Sequence, residues 1–472
     1  MARKKSNRFQ ELYIERYAAE GKSIAHLESG KTIFVVGAVP GDTAKVFIQK
    51  NKKFFASGKA VEIIKESEDR ITPFCEHFGT CGGCKWQMLS YKQQLIYKEQ
   101  QVKDQMERIG DVEVQEFLPI LACEEDRYYR NKVEFTFCTD AYLTSDEIKK
   151  ADGAIIEKSP ALGFHAPGLF DKVVDIKHCY LQEEPTNKIK NFLRDYCLEK
   201  NYRFYDFRVQ EGWLRNIIIR VSTLGEVLVN LVVHKEKKEL FTLLDDLLSA
   251  FPEITSLNYT INPKKNDSIA DLKVQHYKGK AYISEQLGNY TFKISPKSFF
   301  QTNSKQAKIL YDEVKAFAEL KGNEVVYDLY CGTGSIGLYL SDKAKHIVGI
   351  ELVEEAIADA KENADKNQVE HCNFFVGDVS KLIDDDFFQE NGHPDVIITD
   401  PPRAGMTAQL IKELKRIAAE KIVYVSCNPA TQARDLQDLS TDYDIIKMRP
   451  VDMFPQTHHI ENIALLKRKM SC

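Results

Sequence analysis

A glycine-rich loop between two apolar segments constrains this sequence more than any other feature. The segment from Val325 to Gly337 reads Val-Val-Tyr-Asp-Leu-Tyr-Cys-Gly-Thr-Gly-Ser-Ile-Gly. The residues before the loop predict a buried parallel strand, and the apolar spacing after it predicts a helix. Glycines allow positive φ angles and close approach of a ligand to the backbone. Glu351 ends the next apolar segment, about 20 residues later, where a carboxylate can bind ribose hydroxyls.

The pattern around this loop leaves more than one ligand open. Gly332-Thr-Gly-Ser-Ile-Gly337 fits Gly-x-Gly-x-x-Gly, which alone is weak evidence for a dinucleotide. A βαβ turn without a ligand fits the same glycines. The preceding Asp328-Leu-Tyr-Cys argues against both alternatives, because it resembles the first motif of methyltransferases that bind S-adenosylmethionine. In that resemblance Glu351 is the acid that binds the ribose.

From residue 291 onward the sequence alternates short apolar segments with amphipathic helical segments. This order predicts an α/β domain with a doubly wound, Rossmann-like parallel sheet over residues 291–472. Ligands of such sheets lie at the carboxyl ends of the strands. The residues at these predicted ends include Gly332, Glu351, Asp378, Asp400 and Cys427. We therefore expect the functional site at this edge of the sheet.

The length and composition limit the class of protein. A chain of 472 residues predicts two or three domains, and its 43% hydrophobic and 29% charged content is typical of globular proteins. No apolar segment is long enough to span a bilayer, and the basic start Met1-Ala-Arg-Lys-Lys lacks the apolar segment of a secretory signal. We therefore expect a cytoplasmic protein. Because the net charge is −5, any nucleic-acid site must be a local basic surface.

Residues 1–66 alternate short β-rich segments with glycine turns, which predicts a small closed β-barrel of the OB type. One face of this segment is basic and aromatic, with Lys45, Lys50, Lys52, Lys53, Lys59, Phe47, Phe54 and Phe55. Lysines neutralise phosphates and rings stack on bases, so this face predicts RNA binding. A solvated lysine rim around core phenylalanines is the alternative. The segment resembles a TRAM domain, an RNA-binding β-barrel of RNA-modifying enzymes.

Three of the eleven cysteines are clustered. Cys75, Cys81 and Cys84 form a Cys-x5-Cys-x2-Cys pattern, with glycines that let the loop wrap around a metal. Thiolates at this spacing favour a soft metal or an iron–sulfur cluster. Cys179, at a predicted strand end, is the best candidate for a fourth ligand. Zinc held by four thiolates is the chemical alternative.

Residues 67–290 predict a central α+β domain that carries this cysteine cluster. Arg130-Asn-Lys132 precedes a predicted strand and is a candidate phosphate contact. We expect His77 and His178 to lie near the metal or in solvent without binding it. The isolated cysteines are expected to be buried or incidental thiols: Cys123, Cys138, Cys197, Cys372 and Cys472.

Two further strand ends carry residues that predict a reaction. Asp400-Pro-Pro-Arg403 is a rigid loop, and amine methyltransferases have an aromatic residue where Arg403 stands, which argues against amine methylation. Cys427 follows the next strand, and a thiolate at a helix start is a strong nucleophile. Glu461 begins the last strand, where a carboxylate can act as a base. We interpret His458 and His459 as orienting groups or RNA contacts.

A thiolate and a base together suit methylation of a pyrimidine at carbon 5. Carbon 5 of uracil is too weak a nucleophile to take a methyl group from a sulfonium. Addition of the Cys427 thiolate to carbon 6 gives an enolate, whose carbon 5 can attack the methyl group. Glu461 then removes the carbon 5 proton, and the thiolate leaves. The uridine must leave its base stack to reach the thiolate.

Taken together, these motifs resemble the RNA uracil-5-methyltransferases, which form 5-methyluridine in transfer and ribosomal RNA. The resemblance extends over almost the whole chain. Besides the barrel and the cysteine cluster, it includes Phe299-Phe-Gln-Thr-Asn303, Asp328-Leu-Tyr-Cys-Gly332, Asp400-Pro-Pro-Arg403, Ser426-Cys-Asn-Pro429 and Glu461. It implies that Cys427 is the nucleophile and that Glu461 is the base.

The same resemblance implies the cofactor and metal ligands. S-adenosylmethionine would contact Gln301, Tyr330, Glu351 and Asp400, with Asp378 a weaker candidate near the adenine. A [4Fe–4S] cluster with a structural role would be held by Cys75, Cys81, Cys84 and Cys179. Tyr330 replaces a phenylalanine that is common in the family.

The transfer RNA branch of the family lacks both the barrel and the cluster, so the resemblance implies 23S ribosomal RNA as the substrate. Transfer RNA is the alternative substrate. A non-catalytic, metal-containing RNA-binding protein is the alternative function. We expect a monomer without an obligate protein partner.

Overall fold

The computed structural model describes residues 8–152 and 159–470, in which three large β-sheets each cover an apolar core. The basic residues at the start of the chain and Cys472 lie outside the described residues. Among the helices described, none combines the length and the apolar character that crossing a membrane requires.

The first sheet is the predicted N-terminal β-domain. Its strands are β1 (Phe9–Tyr13), β2 (Arg16–Tyr17), β3 (Ser23–His26), β4 (Thr32–Val36), β5 (Thr43–Asn51) and β6 (Ala56–Lys65). They lie in the order β1-β5-β6-β4-β3-β2, so the stretch from Phe9 to Tyr17 forms both edges of the sheet. Its core includes Ile14, Ile33 and Val46. Strand β3 is not predicted by the sequence, because Ser-Ile-Ala-His has little β-branched character.

The middle of the chain forms a second, mostly antiparallel sheet. Its elements and those before it are α1 (Tyr91–Gln105), β7 (Val114–Phe117), β8 (Lys132–Cys138), α2 (Ser145–Lys150), β9 (Ala161–His165), β10 (Val173–Asp175), α3 (Thr186–Glu199), β11 (Leu214–Val221), β12 (Val227–Val233), α4 (Lys238–Ala250), β13 (Ile254–Ile261) and β14 (Val274–Gly279). The described strands lie in the order β10-β9-β8-β11-β12-β13-β14. Helices α3 and α4 pack on one face, through residues such as Leu193 and Leu243.

The third sheet belongs to the C-terminal part of the chain. This part of the chain contains β15 (Ile283–Leu287), β16 (Tyr290–Ile294), α5 (Ser304–Ala318), β17 (Val325–Leu329), α6 (Ser335–Leu340), β18 (His346–Glu351), α7 (Glu354–Lys366), β19 (Cys372–Val376), α8 (Val379–Leu382), α9 (Asp385–Asn391), β20 (Val396–Thr399), α10 (Ala408–Ile417), β21 (Lys421–Ser426), α11 (Pro429–Leu439), β22 (Tyr443–Val451) and β23 (Glu461–Arg468). Strands β15 and β16 pair only with each other, as a separate two-stranded sheet among the described residues. Helices α5, α6 and α7 cover one face, and α1, α10 and α11 cover the other.

The order of the third sheet places the site at its centre. Strands β19-β18-β17-β20-β21 are parallel, and the order reverses between β17 and β20, which is where ligands bind in such sheets. The prediction of a wholly parallel sheet is wrong at one strand. β23 runs antiparallel to both β21 and β22, because the chain turns back after Val451 and returns between them. This reversal brings the start of β23 to the carboxyl end of β21.

One segment joins a different sheet from its sequence neighbours. β7 pairs in parallel with β22, with Val114 opposite Ile445, and so extends the C-terminal sheet. Helix α1 packs on the same part through Val102. The predicted range 67–290 therefore does not fold against a single sheet. Sequence periodicity identified helix α1 but carried no information on its partner.

Candidate active site

The first part of the site is the carboxylate that ends β18. The Glu351 Oε1 atom accepts hydrogen bonds from the backbone N–H groups of Leu352 (2.7 Å) and Val353 (3.0 Å). Its Oε2 atom accepts from Gly332 N at 3.3 Å, across the glycine-rich loop. These contacts fix Glu351 beside the loop, as expected for a group that binds ribose hydroxyls.

The loop after β17 contains a second, deeply buried carboxyl. Tyr330, Gly332 and Gly334 all have positive φ angles (62°, 53° and 74°), which turn the chain sharply over the strand ends. Asp328 is 1% exposed, and its Oδ2 atom accepts from Gly337 N at 2.8 Å. Its Oδ1 atom finds no hydrogen-bond partner among the described residues. Burial, opposed by this bond, raises the pKa of Asp328 to about 7.

The other predicted cofactor residues lie near the same edge of the sheet and differ in their burial and hydrogen bonds. Burial raises the pKa of Asp400, at the end of β20, to about 7. Gln301 lies before the cap of α5, and its carbonyl accepts from Asn131 Nδ2 at 2.8 Å. Asp378 is exposed and caps α8 by accepting from Ser380 N at 3.0 Å. Because Asp378 is engaged in this cap, it remains the weakest of these candidates.

Cys427 and Glu461 lie side by side at the end of the sheet. Ser426, the last residue of β21, pairs with Asn462 of β23, and this is the last pair of the ladder. Cys427 and Glu461 are the residues next to that pair on the two strands, and the charge of Glu461 acts on the Cys427 thiol. Glu461 is 5% exposed, whereas Cys427 is partly exposed. The antiparallel strand brings together two residues that are 34 positions apart in the sequence.

Burial decides the resting protonation of this pair. It raises the pKa of the Cys427 thiol to about 11, with further contributions from Glu461 and Asp400. It also raises the pKa of Glu461 well above its usual value, with Asp400 adding to the effect. Arg403 opposes both shifts through its positive charge. Burial therefore favours the neutral thiol and carboxyl, and the nearby cation Arg403 favours their ionised forms.

Arg403 is a candidate functional residue to which the sequence alone assigned no role of its own. Its side chain contacts the Cys427 thiol, and Nη2 lies 3.3 Å from His459 Nδ1. Because a guanidinium only donates, His459 Nδ1 is an acceptor, and its ring is neutral. Burial, with His458 and Arg403, lowers the pKa of His459 to about 3. The available signal was the position of Arg403 three residues after Asp400, at the end of a strand.

The loop that carries Arg403 is itself held by the start of α11. The Arg403 carbonyl accepts from Asn428 Nδ2 at 2.9 Å and from Thr431 Oγ1 at 3.2 Å. Asn428 directly follows Cys427, so the hydrogen bond from Asn428 holds the Arg403 loop beside Cys427. The prediction that His459 is an orienting group agrees with its contact to Arg403.

The four predicted metal ligands line one cavity. Cys75, Cys81 and Cys84 meet Cys179 there, with Phe164, Ile176 and Leu181 among the apolar lining residues. Burial raises the pKa of Cys81 to about 11 and that of Cys179 to about 12.

Hydrogen-bond donors surround these sulfurs. Backbone N–H groups contact three of them, from His77 and Phe78 to Cys75, from Gly83 to Cys81 and from Leu181 to Cys179. The Gln87 side chain contacts Cys84. Four thiols with N–H donors in an apolar cavity are the donor set that a cluster of iron and sulfide uses.

The two histidines beside the cavity have contacts of their own. Within the described chain, no three His, Cys, Asp or Glu side chains converge tightly enough to hold a single metal ion. His77 Nε2 accepts from Lys177 N at 3.1 Å, and His178 Nε2 lies 3.0 Å from Tyr128 Oη. One ring nitrogen of each imidazole is thus engaged, and the expectation that His77 and His178 are not metal ligands stays a prediction.

A largely parallel sheet with a glycine-rich loop after one strand and a carboxylate at the end of the next is typical of S-adenosylmethionine-dependent methyltransferases. The sequence matches the tRNA (Uracil-5-)-methyltransferase family profile over residues 209–469 and the TRAM domain profile over residues 3–61. The chain belongs to the RNA (uracil-5-)-methyltransferase family.

Relatives that match nearly the whole chain include curated proteins and a solved structure. An uncharacterized RNA methyltransferase of Bacteroides thetaiotaomicron is 48% identical over 95% of this chain and 99% of its own length. One from Porphyromonas gingivalis is 47% identical over 96% of this chain and 99% of its own. The crystal structure of Pyrococcus abyssi tRNA (uracil-54, C5)-methyltransferase with S-adenosyl-L-homocysteine has 27% identity and a TM-score of 0.75, covering 97% of this chain and 100% of its own.

The Pyrococcus structure bears on the expected substrate. Coverage of 97% of this chain includes most of the N-terminal β-domain. A protein described as a transfer RNA enzyme therefore shares that domain, and the presence of the domain does not separate ribosomal from transfer RNA enzymes. The inference from architecture to a ribosomal substrate loses this part of its support.

Proposed function

We propose that this enzyme methylates carbon 5 of a uridine in 23S ribosomal RNA, with Cys427 as nucleophile and Glu461 as base. The observation that carries the proposal is the adjacency of the two side chains across the β21–β23 ladder, with Arg403 in contact with the thiol. A thiol, a carboxyl and a guanidinium at one strand edge supply the three groups that the reaction needs.

Each residue has a distinct task. The partly exposed Cys427 thiol gives its proton to solvent, which the positive charge of Arg403 favours. The sulfur then bonds to carbon 6 of the uracil, and the electron pair of the carbon 5–carbon 6 double bond moves to carbon 5. Bound S-adenosylmethionine supplies the methyl group to that carbon. Glu461, as carboxylate, removes the remaining proton from carbon 5, and the carbon–sulfur bond breaks to release Cys427. Arg403 favours the thiolate and the carboxylate by its charge.

The donor binds over the strand ends in this proposal. Glu351 takes the ribose hydroxyls, and Gln301, Tyr330 and Asp400 surround the rest of the molecule, with Asp378 near the adenine. The unpaired Oδ1 of Asp328 and the raised pKa values of Asp328 and Asp400 support a cationic ligand, because each buried carboxyl lacks a compensating positive charge.

The cysteine cavity holds a [4Fe–4S] cluster in this proposal, with Cys75, Cys81, Cys84 and Cys179 as ligands. The group braces the loop between the β-domain and α1, and methyl transfer needs no electron from it. Anaerobically purified protein should absorb broadly near 400 nm, and Cys81→Ser should abolish the absorption. Stoichiometric zinc in a colourless protein would contradict the cluster and favour the zinc alternative.

Transfer RNA is the second candidate substrate. The Pyrococcus protein, described as acting on uracil-54 of transfer RNA, matches this chain over nearly its full length. The resemblance to the ribosomal branch, through the cysteine cluster together with the β-domain, supports the first candidate. Mass-spectrometric mapping of 5-methyluridine in both RNAs from a deletion strain decides between them, because the site loses its methyl group only in the true substrate.

A trapping experiment tests the chemistry directly. RNA containing 5-fluorouridine has no removable proton at carbon 5, so the enzyme should remain attached through Cys427 in the presence of S-adenosylmethionine. The adduct should be visible as a mass shift in a denaturing gel and should be absent in Cys427→Ala. RNA binding without any adduct or methyl incorporation would support the non-catalytic alternative.

A further inference from the structure

The loop that leads into Glu461 is held by residues that neighbour the cysteine cluster. Residues 452–460 connect β22 to β23, and this catalytic loop contains His459, which contacts Arg403. Lys85 and Trp86, which directly follow Cys84, donate their backbone N–H groups to the Gln456 carbonyl at 2.8 and 3.1 Å. The cysteine loop and the catalytic loop are thus joined at one residue.

Gln456 is unusual in its backbone and in its contacts. It has a φ of 66°, a backbone conformation that residues other than glycine adopt at a cost in free energy. Gln456 is also only 3% exposed. Its N–H donates to Gln94 Oε1 at 2.9 Å, and its Oε1 accepts from Gln94 Nε2 at 3.0 Å. Its Nε2 donates to Asp126 Oδ2 at 3.1 Å. Every polar atom of Gln456 is therefore bound to the segment between residues 85 and 126.

The same loop has further supports around Gln456. Lys98, buried in α1, lies 2.6 Å from Asp452 Oδ1 and donates to the Phe454 carbonyl at 3.1 Å. The Tyr129 hydroxyl donates to the Pro455 carbonyl at 2.9 Å. Gly21 of the β-domain lies against His458, since a Cβ at Gly21 would be 3.1 Å from the His458 Cβ. Gln456 differs from these other supports because its carbonyl accepts hydrogen bonds from the two residues that directly follow Cys84.

We propose that Gln456 is a positioning residue that sets the catalytic loop, and through it His459, Arg403 and Glu461, from the cysteine-cluster side of the molecule. The proposal rests on the proposed function of Cys427 and Glu461. Gln456 touches none of the reacting groups. It holds the segment whose His459 keeps Arg403 against the Cys427 thiol, so a shift of the loop changes the charge environment of Cys427.

The test uses Gln456→Gly in the full-length, cluster-loaded protein. Glycine accepts the positive φ without strain, so this variant removes only the side-chain contacts to Gln94 and Asp126. Gln94→Ala removes the partner and leaves residue 456 intact, which covers the case of poor folding. The matched control is Asn262→Ala, a buried amide whose side chain is bonded to Lys264 and Asn266.

Two measurements are made on each variant. The first is the rate of adduct formation with 23S ribosomal and transfer RNA transcripts that contain 5-fluorouridine. We expect the rate to fall about a hundredfold in both Gln456→Gly and Gln94→Ala, since small misplacement of catalytic groups has effects of this size. The double variant should lose no more rate than either single variant, because Gln456 and Gln94 act through the same contact. S-adenosylhomocysteine affinity and cluster absorption should stay unchanged, as should all values for Asn262→Ala.

The second measurement needs no RNA and would not respond to a merely structural role. Alkylation of Cys427 by iodoacetamide, followed by peptide mass spectrometry over a range of pH, reports the ionisation of its thiol. Glu461, Asp400 and Arg403 are the charged groups facing this thiol. Loss of the Arg403 contact should move the alkylation midpoint upward by about one pH unit in the Gln456 variant.

The outcomes separate this inference from the function on which it rests. An unchanged adduct rate and alkylation midpoint in both variants would overturn the role of Gln456. Losses of S-adenosylhomocysteine affinity in proportion to the rate would also overturn it, because they indicate general unfolding. If the wild-type protein forms no adduct with either RNA, the proposed function itself fails.

Discussion

Two buried carboxyls, Asp328 and Glu461, and the partly exposed Asp400 give the site its electrostatic character. Asp328 and Asp400 each have a pKa raised to about 7, and that of Glu461 is raised further, in each case chiefly by burial. Arg403 is the cation acting on Glu461. A site with this excess of buried acid groups favours a positively charged ligand over a neutral one of the same shape, because the ligand's charge stabilises the carboxylates.

The preference should appear as a pH dependence of cofactor binding. S-adenosylmethionine carries a sulfonium charge that S-adenosylhomocysteine lacks. A bound cation lowers the pKa of Asp328 and Asp400 below about 7, so binding releases protons, and affinity rises with pH up to that value. Calorimetry from about pH 5.5 to 7.5 spans the pKa of these carboxyls (~7). Over this range the affinity for S-adenosylmethionine should rise relative to the affinity for S-adenosylhomocysteine. Parallel pH profiles for the two ligands would contradict this account.

Replacing Glu461, the base in the proposed reaction, should stall that reaction at a defined step. Glu461→Gln keeps the shape of the buried side chain but cannot remove the carbon 5 proton. RNA with ordinary uridine should therefore be methylated and then remain attached to Cys427. The covalent complex should accumulate and be visible on a denaturing gel. The turnover rate should fall by about a thousandfold or more, as is common when an essential catalytic group is lost. Cys427→Ser, as the control, should bind RNA but form no such complex.

At the scale of the element, the glycine-rich loop and α6 depend on a close contact with β17 and β18. A Cβ at Gly337 would lie 2.9 Å from Ile347 Cγ2 and 3.0 Å from Asp328 Oδ2. Helix propensity alone favours alanine over glycine by about 1 kcal/mol. The tertiary contact reverses that preference, because the helix must move away from the sheet to admit a methyl group.

Gly337→Ala should therefore lower stability by about 1 to 3 kcal/mol and weaken S-adenosylhomocysteine binding through displacement of Asp328. Thermal unfolding with and without S-adenosylhomocysteine measures both effects. The control is Ser249→Ala, on the exposed side of α4. Alanine has the higher helix propensity and no close contact opposes it there, so stability should be equal or slightly higher. An increase in melting temperature for Gly337→Ala would show that the contact is not tight.

At the scale of the whole molecule, the β-domain carries an exposed basic and aromatic surface. Phe54 is 79% exposed, with the Lys53 Nζ atom 5.2 Å from its ring centre. Lys52 Nζ lies 5.3 Å from the ring centre of Phe55. The exposure of Phe54 does not fit the alternative in which these phenylalanines belong to the core, and it favours base stacking.

Charge reversal on this surface should weaken RNA binding without affecting the cofactor. Lys52→Glu with Lys53→Glu should reduce the slope of log affinity against log salt by about 1.5, since each phosphate contact contributes about 0.7 to 0.9. Filter binding at several salt concentrations measures the slope. The control pair, Lys343→Glu with Lys345→Glu, lies at the amino end of β18, opposite the site, and should have a smaller effect. Equal losses in both pairs would indicate general charge repulsion.

Much of the site was predictable because it consists of strand ends. Glu351, Asp400 and Cys427 each follow an apolar segment, and the structure places all three at the carboxyl edge of the sheet. The role of Arg403 was not predictable, because its partners His459 and Cys427 are 56 and 24 residues away in the sequence. The same limit applies to β7, whose pairing with β22 joins segments more than 300 residues apart.

The sequence by itself determined the local elements: the glycine loop, the strand ends, the three clustered cysteines and the alternating β-domain. These follow from periodicity and backbone preferences, which act over a few residues. Only the tertiary structure decided that β23 runs antiparallel beside β21, that Cys179 meets the other cysteines and that Gln456 joins two loops. Such contacts depend on the packing of distant segments, which local sequence patterns do not encode.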